Sequence, residues 1–155
     1  MTVAEGTEAW FRARAGIVTC SALDAIMSNG KGGAPSKPWE KLLAVKTWEV
    51  LAGTAAQIQT GFAAERGVAL EPVALQVYAT ATRQKVTKPG FILHPTIERF
   101  GGTPDGVTES QVCVQVKCPI DQAKIIQLRI HGDIERDYYA QIQGELAVTG
   151  YQMAH

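Results

Sequence analysis

A run of turn-forming residues at positions 101–106, Gly-Gly-Thr-Pro-Asp-Gly, predicts a point where the chain reverses direction. Residues 112–118 follow with valine at every second position and polar or small side chains between, an alternation typical of a half-buried strand. Pro119 ends that strand, because proline has no N–H to donate to a sheet ladder. Together these stretches predict a hairpin, with Asp105 just after the strand that enters it.

The predicted hairpin gathers three chemically different side chains on one wall. Because side chains alternate across a strand, Gln115 and Lys117 point to one face, and Cys113 shares that face as a small filler. Strand pairing brings Asp105 beside them, since its turn aims the carboxylate outward. A carboxylate, an amide and an ammonium are therefore expected to meet around one point.

This combination predicts a site for a hard cation. Magnesium binds oxygen ligands and keeps several waters, so the Asp105 carboxylate, the Gln115 side-chain carbonyl and the Val116 backbone carbonyl form a sufficient ligand set. Manganese is an acceptable substitute for magnesium. Lys117 lies alongside, where an ammonium can orient a water and offset charge on a phosphate. These residues therefore favour metal-assisted displacement at a phosphate.

The spacing of this hairpin also resembles a known signature. Pro104-Asp105, a spacer and then Gln115-Val116-Lys117 look like the PD-(D/E)xK motif of a nuclease superfamily. From about Trp10 to Gly150, the chain resembles the lambda-type phage exonuclease, or YqaJ-like viral recombinase, family. The matching motifs, in order, are Trp10, Arg14-Ala15-Gly16, Thr19-Cys20-Ser21, Gly67 with Glu71, Gly102-Thr103-Pro104-Asp105-Gly106, Lys117-Cys118-Pro119 and Tyr138-Tyr139-Ala140-Gln141-Ile142-Gln143.

The resemblance implies a fold, an activity and partners. The implied fold is α/β, a restriction-endonuclease-like core with a mixed central β-sheet flanked by helices, and the order of helices, strands and helix along the chain agrees with it. The implied activity is that of a magnesium-dependent 5′-to-3′ exonuclease, which degrades one strand of linear double-stranded DNA and leaves 3′ single-stranded tails for phage-type recombination. A homotrimer ring around DNA and a single-strand annealing protein as partner are implied as well.

The resemblance extends the site to two further helices. It implies that Glu71 faces the metal, and an acid directly before the helix-breaking Pro72 is well placed to project into a cleft. It also implies that Gln141 reaches the active centre, on a helix face shared with Tyr138 and Glu145. Without the resemblance, Glu71 and Gln141 are ordinary surface side chains.

Arg14 and Ser21 are the candidates for binding a terminal phosphate. Arg14 ends one predicted helix and Ser21 begins the next, and a helix N-terminus offers free N–H groups and positive potential to an anion. The resemblance implies that these two residues hold the 5′-phosphate of DNA. From the sequence alone, a surface arginine and a capping serine are the ordinary interpretation.

Gln115 departs from the family pattern, which has an acidic residue two positions before the lysine. An amide still offers a carbonyl oxygen, but it removes one negative charge from a site that must hold a divalent cation. Either the enzyme works with glutamine, at an attenuated rate, or the chain is a catalytically inactive DNA-end-binding module. An endonuclease of the same superfamily is a third interpretation.

Length and composition fit a single nuclease domain over residues 1–155, with or without a further C-terminal portion. No apolar run approaches membrane-spanning length, and the N-terminus lacks a signal-peptide pattern, so we expect no membrane association and a cytoplasmic location in a bacterial or phage-infected cell. The other common metal-ligand types lack paired spacing and are expected to be ordinary: Cys20, Cys113, Cys118, His94, His131 and His155.

The net charge is zero, with 15 basic and 15 acidic residues, and does not by itself indicate nucleic-acid binding. The distribution is uneven, since residues 80–100 hold Arg83, Lys85, Lys88 and Arg99 against the single acid Glu98. A neutral total is compatible with a basic channel and an acidic exterior. Ordinary solvated charge explains the same pattern equally well.

Hydrophobic periodicity and helix-end signals predict the remaining elements. The helices are expected at residues 7–15, 21–28, 39–52, 60–82, 121–131 and 133–148, with a basic loop at 29–38 and short strands at 85–87, 89–95 and 100–103. Thr7 is the expected cap of the first helix, and Thr19 or Ser21 is the expected cap of the second. Gly53 and Gly150 are the expected end signals of the helices that precede them. Pro72 is expected to kink or restart the helix that contains it.

Overall fold

The computed structural model describes residues 6–57, 61–132 and 134–155, apart from the side chain at position 137. The described helices are α1 (Glu8–Ala13), α2 (Leu23–Met27), α3 (Lys37–Ala52), α4 (Phe62–Thr82), α5 (Gln122–His131) and α6 (Arg136–Thr149), with 3₁₀ turns at Cys20–Ala22 and Lys31–Gly33. The strands are β1 (Val18–Thr19), β2 (Val86–Thr87), β3 (Ile92–Leu93), β4 (Phe100–Gly102), β5 (Gly106–Thr108), β6 (Val112–Val114) and β7 (Met153–Ala154).

The strands form two small sheets. In the first, β4 lies between β1, which is parallel to it, and β3, which is antiparallel. In the second, β5 pairs antiparallel with both β2 and β6, and β7 adds to β6 in parallel. The chain passes from the first sheet to the second between β4 and β5, so Asp105 lies at the junction of the two sheets. The predicted α/β class with mixed strand pairing is confirmed.

Helix α6 packs closely on β4 and on the 3₁₀ turn Cys20–Ala22. Cys20, Phe100 and Val148 form the buried cluster at this contact. Two glycines permit the close approach: a Cβ added at Gly102 would lie 2.3 Å from Cys20 Sγ, and one at Gly144 would lie 2.6 Å from Leu23 Cδ1. The core thus holds α6 across the strands that flank Asp105, which fixes where the helix presents its polar face.

The helix ends follow the capping signals in the sequence. Thr7 accepts a hydrogen bond from the backbone N–H of Trp10 at 3.2 Å, as expected for the cap of α1. Ser36 caps α3 in the same way, through the N–H of Trp39. Left-handed glycines close α3, α5 and α6 at Gly53, Gly132 and Gly150.

Three local expectations differ from the structure. The hairpin turn lies at residues 109–111, between β5 and β6, and not at 101–106, so Asp105 directly precedes the strand that enters the hairpin instead of following it. Ser21 lies inside the 3₁₀ turn, and neither it nor Thr19 makes a side-chain capping bond there, so the predicted cap of the second helix is wrong. Helix α4 continues through Pro72 without restarting. The predicted helix starts at residues 60 and 133 fall outside the described residues. None of the described helices has the length and apolarity that crossing a lipid bilayer requires.

Candidate active site

One cleft brings together most of the side chains singled out in the sequence. Its walls come from α4, from the 105 turn, from the segment after β6 and from α6. Every predicted catalytic and metal-binding residue contributes to its lining: Glu71, Asp105, Gln115, Val116, Lys117 and Gln141. Ser21 also borders the cleft. The residues of the sequence motif are therefore close together in the structure.

Asp105 organises the segment that follows β6. Its Oδ2 accepts a hydrogen bond from the backbone N–H of Val116 at 2.6 Å, and a second from the side-chain amide of Gln115. The ladder between β6 and β7 reaches Gln115, whose N–H donates to the carbonyl of His155 at 2.9 Å. The next N–H, that of Val116, donates to Asp105 and not to a neighbouring strand. The strand predicted over 112–118 therefore ends earlier, at Val114.

The segment after β6 is also tied to α4. The guanidinium of Arg66 donates to the backbone carbonyl of Cys118 at 2.8 Å, across the cleft from the strands. Arg66 was not identified from the sequence, because a helical arginine carries no signal of its tertiary partner. This bond holds the Val116 to Pro119 stretch against the helix that carries Glu71, which fixes the distance between the two walls.

Gln141 of α6 is the central residue of a hydrogen-bond network. Its Nε2 donates to Gln115 Oε1 at 3.0 Å and to Glu145 Oε1 at 2.8 Å. Its Oε1 accepts from Lys117 Nζ at 2.9 Å. Lys117 Nζ also lies 4.9 Å from the centre of the Tyr138 ring, a cation–π contact. The predicted shared face of α6 thus reaches both polar side chains of the hairpin.

Glu71 reaches the cleft from α4. Its carboxylate forms an ion pair with Lys88, and its side chain is 20% exposed. Glu71 lies four residues after Gly67 on the same face of α4, and both residues line the cleft. Lys88 thereby places a positive charge beside an acid predicted to face a metal.

Glu145 is a site residue that sequence reasoning missed. It is 1% exposed, and its Oε2 has no hydrogen-bond partner among the described residues. Burial raises the pKa of this carboxyl to about 7, and the charge of Asp105 raises it further, against the opposing effects of the Gln141 hydrogen bond and Lys117. The four-residue spacing from Gln141 indicated a shared face but gave no sign that the acid is buried.

Arg14 and Ser21 occupy neighbouring positions rather than one. Arg14 lines a second cavity, with its guanidinium carbon 3.9 Å from the centre of the Trp10 ring. Ser21 borders both this cavity and the cleft, and its hydroxyl lies 3.2 Å from that of Thr19. Lys41 and Lys46 also line the second cavity. Glu49 lines the same cavity and pairs with Lys46, which leaves Arg14 and Lys41 as its other basic residues. This cavity adjoins the cleft, with Ser21 at the boundary.

The cysteines and histidines have ordinary structural roles. Burial raises the pKa of Cys20 to about 12 and also raises that of Cys113, so both thiols stay protonated and poorly nucleophilic. His94 Nδ1 accepts from the backbone N–H of Ile97 in a turn, and His155 lies against Tyr78.

The donor set of the cleft fits a hard cation. Across the described residues, no three side chains of the His, Cys, Asp and Glu types form a metal-binding group. Magnesium, however, is commonly held by one or two carboxylates with waters completing its shell. Asp105, Glu71 and the carbonyl oxygens of Gln115 and Val116 supply that kind of ligand within one cleft.

Comparisons with known proteins converge on one group. Residues 9–152 match the family model of the YqaJ-like viral recombinase domain. An alkaline exonuclease (LHK-Exo) from Laribacter hongkongensis is 33% identical, with a TM-score of 0.82, over 96% of this chain and 71% of that one. The same exonuclease in complex with dAMP gives a TM-score of 0.83 at the same identity and coverage.

A more distant structure shares the fold. A phage-related exonuclease from Haemophilus somnus 129PT is 18% identical, with a TM-score of 0.66, over 89% of this chain and 65% of that one. No curated protein sequence matches this chain significantly. The structural matches confirm the restriction-endonuclease-like α/β fold expected from the sequence.

Proposed function

Because this chain belongs to the YqaJ-like viral recombinase family, we propose that it is a magnesium-dependent 5′-to-3′ exonuclease that degrades one strand of linear double-stranded DNA. The family and its exonuclease relatives support a nuclease that acts on DNA. The polarity, the metal and the 3′ single-stranded products belong to the proposal. The dAMP complex of the Laribacter exonuclease supports release of mononucleotides.

The observation that carries the proposal is the convergence of Asp105, Gln115 and Lys117. The amide of Gln115 bonds the carboxylate of Asp105, and Gln141 joins Gln115 to Lys117. Asp105 directly precedes the hairpin and Gln115 directly follows it, ten residues later, so the contact between them depends on the pairing of β5 with β6. An acid, an amide and an ammonium in one open cleft suit hydrolysis of a phosphodiester.

We assign the metal to Asp105, Gln115, the Val116 carbonyl and Glu71. When bound, magnesium supplies Lewis acidity to the phosphate oxygens and to the attacking water. Lys117 is held in place by Gln141 and Tyr138, and its ammonium orients the water and offsets charge on the phosphate. Gln141 keeps that lysine directed into the cleft.

Arg14 and Ser21 are assigned to the 5′-phosphate of the substrate. Ser21 borders both the cleft and the cavity that Arg14 lines. A terminal phosphate bound at Ser21 would therefore lie directly beside the cleft that holds the predicted catalytic residues. Charge-assisted hydrogen bonds from arginine to phosphate are among the stronger polar contacts. This placement favours a 5′-phosphorylated end over a 5′-hydroxyl.

The proposal includes the assembly and the setting of the reaction. A homotrimer ring around duplex DNA would keep the enzyme on its substrate, and a single-strand annealing protein would receive the 3′ tails. Family membership supports both features. We place the reaction in the cytoplasm of a bacterial or phage-infected cell, where phage-type recombination takes place.

The test uses linear duplexes labelled at either the 5′ or the 3′ end, with and without a 5′-phosphate, beside closed circular DNA in magnesium. We expect release of mononucleotides from 5′-phosphorylated linear duplex, early loss of the 5′ label and intact circles. Cleavage of circles would identify an endonuclease instead. Early loss of the 3′ label would contradict the proposed polarity.

One observation favours a second function. Gln115 stands where the family pattern has an acid, so the cleft carries one negative charge fewer than that pattern provides. This departure supports an inactive DNA-end-binding module as the alternative function. Retained binding of linear duplex ends, with no nucleotide release in magnesium or manganese, would establish this alternative.

A further inference from the structure

Glu145 lacks the hydrogen bonds that a buried glutamate with a purely structural role would make. It is 1% exposed, yet Gln141 Nε2 is the single donor whose bond to its carboxylate is resolved, at 2.8 Å, and Oε2 has no partner among the described residues. A buried polar atom without a hydrogen bond costs about 1–3 kcal/mol. An unsatisfied acid of this kind therefore needs another explanation.

Glu49, the other buried glutamate, shows what a structural acid looks like in this protein. It is 2% exposed, and it accepts from Lys46 Nζ at 2.9 Å, from the Gly16 N–H at 3.0 Å and from the Ala56 N–H at 3.1 Å. Both of its oxygens are satisfied, and an opposite charge is adjacent. Glu145 lacks such a set, and its one resolved hydrogen bond comes from Gln141, a side chain that lines the candidate active site.

The hydrogen-bond network directs Glu145 towards the reaction centre. Both hydrogens of the Gln141 amide are used, one on Glu145 and one on Gln115, and its oxygen accepts from Lys117. The orientation of this amide is therefore fixed by its three partners. Any change in the carboxyl of Glu145 is transmitted to Gln115 and Lys117 through one side chain.

We propose that Glu145 is a positioning residue whose buried carboxylate, acting through Gln141, supplies the second negative charge that Gln115 does not provide on the hairpin. In this arrangement the second acid is Glu145 on α6, instead of an acid at position 115 after β6. Asp105 and Glu145 then flank the amide pair Gln115 and Gln141, with Lys117 as the adjacent cation. This role rests on the proposed metal-dependent activity.

The test moves the negative charge from position 145 to position 115. Manganese binding without DNA is measured by calorimetry for the wild type, Glu145→Gln, and the double variant Gln115→Glu with Glu145→Gln. Loss of one charge near a divalent cation is expected to weaken binding about tenfold or more in Glu145→Gln. The double variant restores the charge on the strand and is expected to return within about threefold of wild type.

Glu49→Gln is the matched control, because it neutralises an equally buried glutamate outside the cleft. It is expected to lower the melting temperature while manganese affinity stays at the wild-type value. Melting temperatures check that Glu145→Gln and the double variant are folded. Recovered affinity in the folded double variant supports the role of Glu145, and a persistent loss of affinity overturns it.

Two results overturn the role of Glu145. One is wild-type manganese affinity in Glu145→Gln, and the other is a double variant that remains as weak as Glu145→Gln. If the wild type cleaves DNA in magnesium while either result is found, only the positioning role fails. If the wild type neither binds manganese nor cleaves DNA, the proposed nuclease function fails with it.

Discussion

The side-chain nitrogen of Gln115 donates a hydrogen bond to the Oδ2 oxygen of Asp105. The opposite amide orientation would set two oxygens against each other and would break the bond that Gln115 Oε1 accepts from Gln141. Both ends of the Gln115 amide are therefore used, the nitrogen by Asp105 and the oxygen by Gln141. A carboxylate at position 115 would instead place a second negative charge beside Asp105.

Gln115→Glu is expected to raise manganese affinity about tenfold or more, because it adds a negative charge and removes the donor that faces Asp105. We expect the rate of nucleotide release in magnesium to rise as well. Gln143→Glu makes the same chemical change on the exposed side of α6 and should leave both quantities unchanged. An unchanged or lower rate in Gln115→Glu would show that glutamine is a working ligand.

Lys117→Ala is expected to slow nucleotide release by a factor of roughly 10² to 10⁴, the usual range for a group that assists proton transfer or water positioning. Metal affinity should not fall, since the variant removes a positive charge from the cleft. Lys85→Ala, which loses an exposed 3.7 Å ion pair with Glu109, is the control and should keep the wild-type rate. A Lys117→Ala rate within twofold of this control would remove the lysine from the mechanism.

Arg14→Ala is expected to reduce the preference for 5′-phosphorylated ends. The measurement is the ratio of kcat/KM for 5′-phosphate and 5′-hydroxyl duplexes, which should fall about tenfold or more on loss of a charged hydrogen bond. Arg12→Ala is the matched control, because Arg12 is exposed and pairs with Glu8 on the same helix. If both variants keep the wild-type ratio, the phosphate is held elsewhere.

Glu145 should make stability depend on pH. Its folded pKa of about 7 lies above the unfolded value, so stability is fully present below pH 4 to 5 and is lost as pH rises through 7. The expected loss is roughly 3 kcal/mol, and it should be absent in Glu145→Gln. The facing charges of Asp105 and Lys117 are common to both proteins.

The measurement for this effect is urea unfolding at pH 5.5, 7.0 and 8.5 in the presence of a chelator. The wild type should lose stability relative to Glu145→Gln as pH increases. The thiols of Cys20 and Cys113, which also lie near Glu145, remain protonated over this range. A difference between the two proteins that stays constant with pH would contradict the buried, ionisable role assigned to Glu145.

The sequence predicted local features and contacts that repeat at fixed spacing. Thr7 as a cap and the helix ends at Gly53 and Gly150 follow from local capping chemistry. Asp105 does meet Gln115 as expected, but the contact is made by the segment after β6 and not by residues within a strand. The early end of β6 did not follow, because it depends on a side chain competing for the Val116 N–H.

Contacts between distant elements were beyond the reach of the sequence. The bond from Arg66 to the Cys118 carbonyl and the burial of Glu145 depend on how α4 and α6 pack. Packing of α6 relies on Gly102 and Gly144, whose missing side chains leave room for Cys20 and Leu23. Nothing in the sequence distinguishes Arg66, Glu145 and the two glycines from exposed residues of the same types.

The most direct test compares wild type with Asp105→Asn on 5′-phosphorylated linear duplex in magnesium. Asparagine keeps the shape of the side chain but removes the charge that Gln115 and Val116 contact, and melting temperature checks that the variant is folded. We predict nucleotide release by the wild type and a loss of roughly 10³-fold or more in the variant. Equal rates in the two folded proteins would show that hydrolysis does not take place at this cleft.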